Sequence, residues 1–86
     1  MKKIEIYSTP TCHYCNLTKE LLTSLNTPYV DYNVNTDTER RQELVDSGAM
    51  GVPLIKITDE SGEVETLNGF DEERLRELFG ANAAAV

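Results

Sequence analysis

The sequence predicts a single α/β domain, built as a four-stranded mixed sheet with three helices divided between its two faces. Its 86 residues are enough for one compact core and too few for two. Some segments have apolar side chains at every second residue, as strands do, and they are followed by segments in which apolar side chains recur every three or four residues, as in helices. The resulting order is strand, helix, strand, helix, strand, strand, helix, which is typical of a mixed sheet covered on both faces.

The first strand and the first helix have the clearest patterns. Residues 3–7 alternate between apolar and polar side chains and predict a half-buried strand. A turn-prone loop follows, and a helix is predicted over residues 13–25. The helix ends before Pro28, because proline lacks an amide hydrogen and disfavours helical geometry in the preceding residue. The helix is amphipathic because leucines recur at every fourth position, at Leu17, Leu21 and Leu25.

A second strand and a second helix follow the first pair. Residues 29–34 alternate again and predict a strand. Thr36 and Glu39 have the spacing of a capping box, in which each side chain satisfies a free backbone amide at the start of a helix. This second helix is predicted to run to about Asp46, with Gly48 just beyond it as a left-handed cap.

The last three elements are a hairpin and a helix. Residues 52–57 predict a strand that begins near Pro53, and residues 63–67 predict its neighbour across a tight turn. Asp71 can cap the final helix, which is predicted to end at Gly80. The domain therefore covers residues 1–80, and a short flexible tail is expected over 81–86.

The composition excludes several classes of function. The chain is 40% hydrophobic and 27% charged, and its formal net charge of −7 repels nucleic acids and anionic membranes. No apolar run approaches the roughly 18 residues of a membrane span, and no export signal is recognised, so a cytoplasmic monomer is expected. Between Asp59 and Glu77 there are eight acidic and two basic residues. This excess either steers a basic partner or only keeps the surface solvated.

The residues that point to chemistry are Cys12, His13, Tyr14 and Cys15, at the predicted junction of the first strand and the first helix. Free backbone amides at a helix start favour a thiolate, and the thiolate is the reactive form of cysteine. Cys12 is therefore the predicted nucleophile. Cys15 lies nearly one turn further on, within reach of a disulfide, and is predicted to resolve mixed disulfides formed on Cys12.

Other readings of the cysteine pair are weaker. A structural disulfide closing so short a loop contributes only about 2 kcal/mol. A structural zinc ion needs four ligands, whereas Cys12, His13 and Cys15 are all the soft ligands in the chain, so no metal site is predicted. His13 is either an exposed polar residue without a special role or a partial cation that stabilises the Cys12 thiolate.

Three motifs together resemble the glutaredoxin family, and the likeness extends over residues 1 to about 80. Lys19 also falls where many members carry a lysine. The motifs are Ile4 to Cys15, with Thr11 directly before the first cysteine, then Gly51-Val52-Pro53, and then Asn68-Gly69-Phe70-Asp71.

The resemblance implies a thioredoxin fold, in which Pro53 has a cis peptide bond and faces the cysteines. It implies that the chain reduces protein disulfides, holds no tightly bound cofactor and takes its electrons either from glutathione as a co-substrate or from a flavoprotein reductase. The glutathione contacts implied by the family are the backbone of Val52 beside Pro53, the segment Gly69-Phe70-Asp71, and Arg40 at the glycine carboxylate.

Two departures from the family pattern predict weak glutathione binding. Thr9 and Met50 stand where many glutaredoxins carry a lysine and an arginine that bind the tripeptide. Gly69-Phe70 also resembles the glutaredoxin-like hydrogen donors of ribonucleotide reductase, which accept electrons from thioredoxin reductase, so both donors stay open. His13 stands where most dithiol glutaredoxins carry a proline, and replacement of that proline is associated in the family with binding a 2Fe–2S cluster through Cys12 and glutathione. Cluster binding or delivery is the alternative function.

Overall fold

The computed structural model describes residues 2–49 and 51–84, with side chains described up to residue 80. The predicted order of elements is confirmed. The strands are β1 (Lys3–Ser8), β2 (Val30–Asn33), β3 (Leu54–Thr58) and β4 (Val64–Asn68), and the helices are α1 (His13–Ser24), α2 (Thr38–Asp46) and α3 (Glu72–Ala84).

The four strands form one mixed sheet in the order β2-β1-β3-β4. The strand β1 lies in the interior of the sheet, parallel to β2 and antiparallel to β3, and β4 pairs antiparallel with β3. The parallel pair needs a crossover, which α1 supplies, whereas β3 and β4 are joined by a tight turn. The C-terminal end of β1 therefore lies beside the C-terminal end of β2 and the start of β3.

Side-chain alternation divides the core between the two faces of the sheet. On the face covered by α1 and α3, Ile6 lies opposite Ile55 in the register, and both are fully buried. Burying one such side chain stabilises the fold by about 1.5–3 kcal/mol. The larger core comprises Ile4, Ile6, Leu21, Leu22, Leu25, Ile55, Ile57, Leu75 and Phe79. The smaller core, on the α2 face, comprises Tyr7, Val34, Leu44 and Leu54.

The predicted start of α2 is wrong. The capping residue is Asp37, whose carboxylate accepts a hydrogen bond from the backbone N–H of Arg40 at 3.1 Å. Thr36 instead lies in a turn, where its backbone N–H and its hydroxyl both donate to the carbonyl oxygen of Asn33. Because the turn occupies Thr36, the capping box with Glu39 does not form. The other end agrees with the prediction, since Gly48 follows α2 with a φ of +80°.

The last helix is longer than predicted. Its start is confirmed, because Asp71 accepts a hydrogen bond from the backbone N–H of Arg74 at 3.0 Å. It continues through Gly80 to Ala84, since Gly80 does not adopt a positive φ and alanine is the best helix former. The predicted tail thus begins inside a helix, and residues 85 and 86 lie outside the described residues. Within the described ranges, every helix is too short or too polar to cross a membrane.

Candidate active site

Cys12 occupies the cap position of α1, directly after the loop that follows β1. Its backbone is extended, with φ −80° and ψ 113°, and its carbonyl accepts the N–H of Asn16 at 3.2 Å. The backbone N–H of Cys15 donates to Cys12 Sγ at 3.2 Å. Donors at a helix start stabilise negative charge, and one such donor is directed at Cys12 Sγ. The half-buried Cys12 side chain is still open to a reacting partner.

Cys15 differs from Cys12 in both burial and acidity. Both cysteines are free thiols, but Cys15 has 0% exposure. Burial is the largest cause that raises the pKa of Cys15 to about 12, and its hydrogen bond with Cys12 raises it further. A hydrogen bond with the Thr9 backbone and the positive charge of Lys19 act in the opposite direction. One thiol is therefore accessible, and the other is held protonated behind it.

The loop before β3 faces the cysteines. The Val52–Pro53 peptide bond is cis, and Pro53 is buried. The Cys12 thiol points at the carbonyl oxygen of Val52, with 3.8 Å between sulfur and oxygen. Gly69 joins the same surface, because its backbone N–H donates to the Pro53 carbonyl oxygen at 2.9 Å. The structure therefore brings Val52, Pro53 and Gly69 together beside Cys12.

The remaining residues of the third motif have structural contacts. Phe70 is half-buried and packs against the larger core. Asp71 is exposed, but one of its carboxylate oxygens accepts the hydrogen bond that caps α3. Both residues follow Gly69 directly and so lie next to the surface formed with Pro53.

Three neighbours of the cysteines are exposed, namely Thr11, His13 and Tyr14. Tyr14 is 60% exposed, so its ring presents apolar area to solvent. The rings of His13 and Tyr14 meet edge to face, with 5.6 Å between their centroids. Two exposed rings thus follow Cys12 directly in the chain, and the Cys12 sulfur itself contacts the Val52 carbonyl oxygen.

Arg40 lies on the opposite face of the sheet, in a polar network of its own. Its guanidinium donates to both carboxylate oxygens of Glu43, at 2.7 and 3.0 Å, and stacks 4.3 Å from the centroid of the Tyr32 ring. Glu43 also accepts a hydrogen bond from the hydroxyl of Tyr7 at 2.7 Å. These contacts hold the pKa of Glu43 below its usual value. The network borders an open cavity of about 400 Å³, which Lys56 and Thr66 also line.

The family model named Glutaredoxin matches residues 4–61, a segment that contains Cys12, Cys15 and Pro53. The chain belongs to the glutaredoxin family.

Individual glutaredoxin relatives agree with this membership. A glutaredoxin-like 8.6 kDa protein encoded in a rubredoxin operon of Clostridium pasteurianum is 51% identical over 55 residues, which are 63% of this chain and 73% of that protein. Glutaredoxin 3 of Escherichia coli K12 is 34% identical over 58 residues, 66% of this chain and 70% of the relative. Family membership and the paired cysteines together support thiol–disulfide oxidoreductase chemistry.

The fold is confirmed by comparison with solved structures. The thioredoxin-like protein BC3987 superposes with a TM-score of 0.72 at 34% identity, covering 88% of this chain and 99% of that protein. The NrdH-redoxin of Escherichia coli superposes with a TM-score of 0.76 at 22% identity, covering 88% of this chain and 93% of its own, which shows the shared fold. The four-stranded mixed sheet with three helices is thus the thioredoxin fold of this family.

Two features of this glutaredoxin were not found from the sequence. One is the network of Tyr7, Tyr32, Arg40 and Glu43 described above. The other links Lys19 to Asp31 and Asp31 to Ser8 on the α1 face of the sheet. A carboxylate within a short strand was a signal for the second, because aspartate is depleted in strands. In the described part of the chain, no three His, Cys, Asp or Glu side chains converge on a metal position. Met50 lies outside the described residues.

Proposed function

We propose that this glutaredoxin is a dithiol–disulfide oxidoreductase that reduces protein disulfides, with Cys12 as the nucleophile and Cys15 as the resolving thiol. The observation that supports it best is the 3.2 Å hydrogen bond from the Cys15 N–H to Cys12 Sγ, made at an accessible helix start. The same backbone donor prepares one sulfur for attack and holds the second sulfur beside it.

The reaction takes two steps. The Cys12 thiolate attacks one sulfur of a substrate disulfide, so that a mixed disulfide forms and the other substrate sulfur leaves as a thiolate. Cys15 then loses its proton to solvent and attacks Cys12 Sγ. The bond between Cys12 and the substrate breaks, and the released thiolate takes up a proton. The substrate gains two electrons, and Cys12 and Cys15 end as an internal disulfide.

The substrate surface is the strip formed by Tyr14, Val52 and Gly69 around Cys12. Tyr14 offers exposed apolar area, and the backbone beside Pro53 suits an extended peptide that pairs with it like an added strand. We place the protein in the cytoplasm as a monomer, where a reducing environment keeps a dithiol in its reduced form.

The electron donor that the geometry favours is a flavoprotein disulfide reductase of the thioredoxin reductase class. Glutathione needs cationic contacts for its carboxylates, and Thr9 offers no charge. The guanidinium of Arg40 already binds Glu43 and stacks on Tyr32, so binding a carboxylate would compete with an existing ion pair. The net charge of −7 adds a general repulsion of the anionic tripeptide.

The alternative function, 2Fe–2S cluster binding through Cys12 and glutathione, uses the same weak tripeptide site. It also leaves Cys15 in hydrogen-bonding contact with the cluster ligand, and a Cys12 bound to a cluster is not free to attack a disulfide. We therefore place disulfide exchange first.

The proposal is tested by trapping the mixed disulfide. Cys15→Ser should accumulate a covalent adduct with a disulfide-bonded peptide, seen as a mass increase that thiol reductants reverse. Cys12→Ser is the matched control and should form no adduct, because it lacks the nucleophile. An adduct on Cys12→Ser, or turnover by that variant, would show that the roles are wrong. Turnover of a protein disulfide with thioredoxin reductase, compared with glutathione plus its reductase, decides the donor.

A further inference from the structure

A polar cluster of three residues lies one turn along α1 from Cys15. Lys19 Nζ donates to Asp31 Oδ2 at 3.1 Å, and the Ser8 hydroxyl donates to Asp31 Oδ1 at 2.5 Å. Ser8 is 2% exposed, and the side chains of Lys19 and Asp31 are 21% and 35% exposed. The cluster thus joins α1 to β2 and to the last residue of β1, from which the loop to Cys12 begins.

Lys19 is placed to act on Cys15. Residues four apart on a helix are neighbours on one face, so Lys19 lies over the same side of α1 as Cys15. Its long side chain could move freely on an exposed helix, but the bond to Asp31 fixes the ammonium, and Ser8 fixes Asp31. An ion pair of this exposure contributes little to stability. We therefore attribute the contact to the position in which it holds the positive charge of Lys19.

The other groups around Cys15 do not supply a comparable positive charge. Cys12 faces it from the start of α1; in the reduced protein its sulfur opposes ionisation of Cys15, and in the mixed disulfide it carries no charge. The Thr9 backbone donates without a formal charge. The helix α3 packs on α1 through the apolar Leu75 and Phe79. Lys19 is the cation, and Asp31 the anion that holds it.

We propose that Lys19, fixed by Asp31, is a positioning residue for the resolving step, in which its ammonium stabilises the Cys15 thiolate as that thiolate forms. The inference rests on the proposed disulfide-exchange function. The chemistry is the second step above: Cys15 gives up its proton to water, attacks Cys12 Sγ and displaces the substrate sulfur as a thiolate. A nearby positive charge lowers the free energy of the thiolate in this buried position.

The test uses reduced full-length protein and dithiobis(nitrobenzoate), an aromatic disulfide that releases a coloured thiolate. The first release reports attack by Cys12, and the second reports resolution by Cys15. In Lys19→Met the ratio of the second rate to the first should fall by about twofold to fourfold at neutral pH, the net effect of half to one pKa unit once the higher nucleophilicity of the more basic thiolate is included. The pH profile of the second release should move to higher pH. Lys19→Arg keeps the cation and should restore both.

The matched control is Lys56→Met, which removes the same charge from the opposite face of the sheet and should leave the ratio unchanged. Lys19→Gln serves as the second neutral variant, with folding of each protein checked by urea denaturation. Wild-type ratio and pH profile in both neutral variants would overturn the role of Lys19. Absence of the first release in the wild type would instead refute the disulfide-exchange function itself.

Discussion

The two thiols of the active site should differ sharply in their reaction with iodoacetamide. Cys12 is accessible and accepts a hydrogen bond at a helix start, whereas Cys15 is fully buried. Burial and the contact with Cys12 raise the pKa of Cys15 to about 12, against an ordinary value near 9. In the folded, reduced protein we therefore expect alkylation of Cys12 to precede that of Cys15.

The size of the effect on Cys15 follows from two opposing consequences of the raised pKa. A rise of about three pKa units lowers the thiolate fraction at neutral pH about a thousandfold. A more basic thiolate is intrinsically more nucleophilic, and a Brønsted coefficient of about 0.4–0.5 recovers about 15- to 30-fold. The net slowing of Cys15 is about 30- to 60-fold. Steric exclusion of the reagent from the buried sulfur slows it further.

The measurement is the alkylation rate of Cys15 in Cys12→Ser, in which no other thiol reacts. The reference is the same variant unfolded in denaturant, and peptide mapping by mass spectrometry confirms the site in the wild type. The substitution removes the contribution of the Cys12 sulfur to the raised pKa of Cys15, but burial, the larger cause, remains. The folded variant should therefore still react at least about tenfold more slowly than the unfolded variant. Equal rates in the folded and unfolded variant, or modification of Cys15 before Cys12 in the wild type, would refute the reasoning.

Three further predictions concern stability. Burial and the Glu43 carboxylate raise the pKa of Tyr7. The free energy of unfolding should therefore fall as pH rises above about 10, where the tyrosine ionises in the unfolded chain but not in the folded protein. This fall should be smaller in Tyr7→Phe, and urea midpoints measured against pH test it. Leu22→Ala should lose about 2–5 kcal/mol in urea denaturation, because Leu22 is fully buried, and a loss below about 1 kcal/mol would contradict close packing there. Gly69→Ala should lose about 1–2 kcal/mol of stability in urea denaturation, because φ is +101° at Gly69. The control Gly51→Ala should be near neutral by the same assay, because Gly51 has open space around it and no positive φ.

The elements of the fold could be predicted because their signals are local. The alternation that placed Ile4 and Ile6 on one face of a strand depends only on the two-residue period of strands, and it puts both in the larger core. The start of α3 at Asp71 was likewise predictable from one side chain and one nearby amide. The start of α2 was not, because Thr36 and Asp37 are both good caps and the turn at Asn33 decides between them.

The polar networks could not be predicted from spacing. The hydroxyl of Tyr7 binds Glu43, which is 36 positions away, and the hydroxyl of Tyr32 binds Glu5, which is 27 positions away. Such pairs depend on which helix covers which face of the sheet. The role assigned to Arg40 by family resemblance depends on the same information, since only the fold shows that its guanidinium already contacts Glu43 and Tyr32.

The difference between the two thiols depends partly on local spacing, as the elements do, and partly on long-range packing, as the polar networks do. The cysteine pair was therefore predictable from the sequence, whereas the groups that act on each thiol were not. A residue at the cap of a helix has an extended backbone and lies outside the helix, whereas the residue three positions later lies in the first turn, facing the core in this fold. Two cysteines at that spacing and at that junction therefore become one accessible and one buried thiol for local reasons. The charge that we propose acts on the buried thiol comes from Lys19, and Asp31 and Ser8, on two different strands, hold it in place. Sequence spacing thus points to the two sulfurs that we propose react, whereas the packing of α1 on the sheet places the charge that we propose acts on the second one.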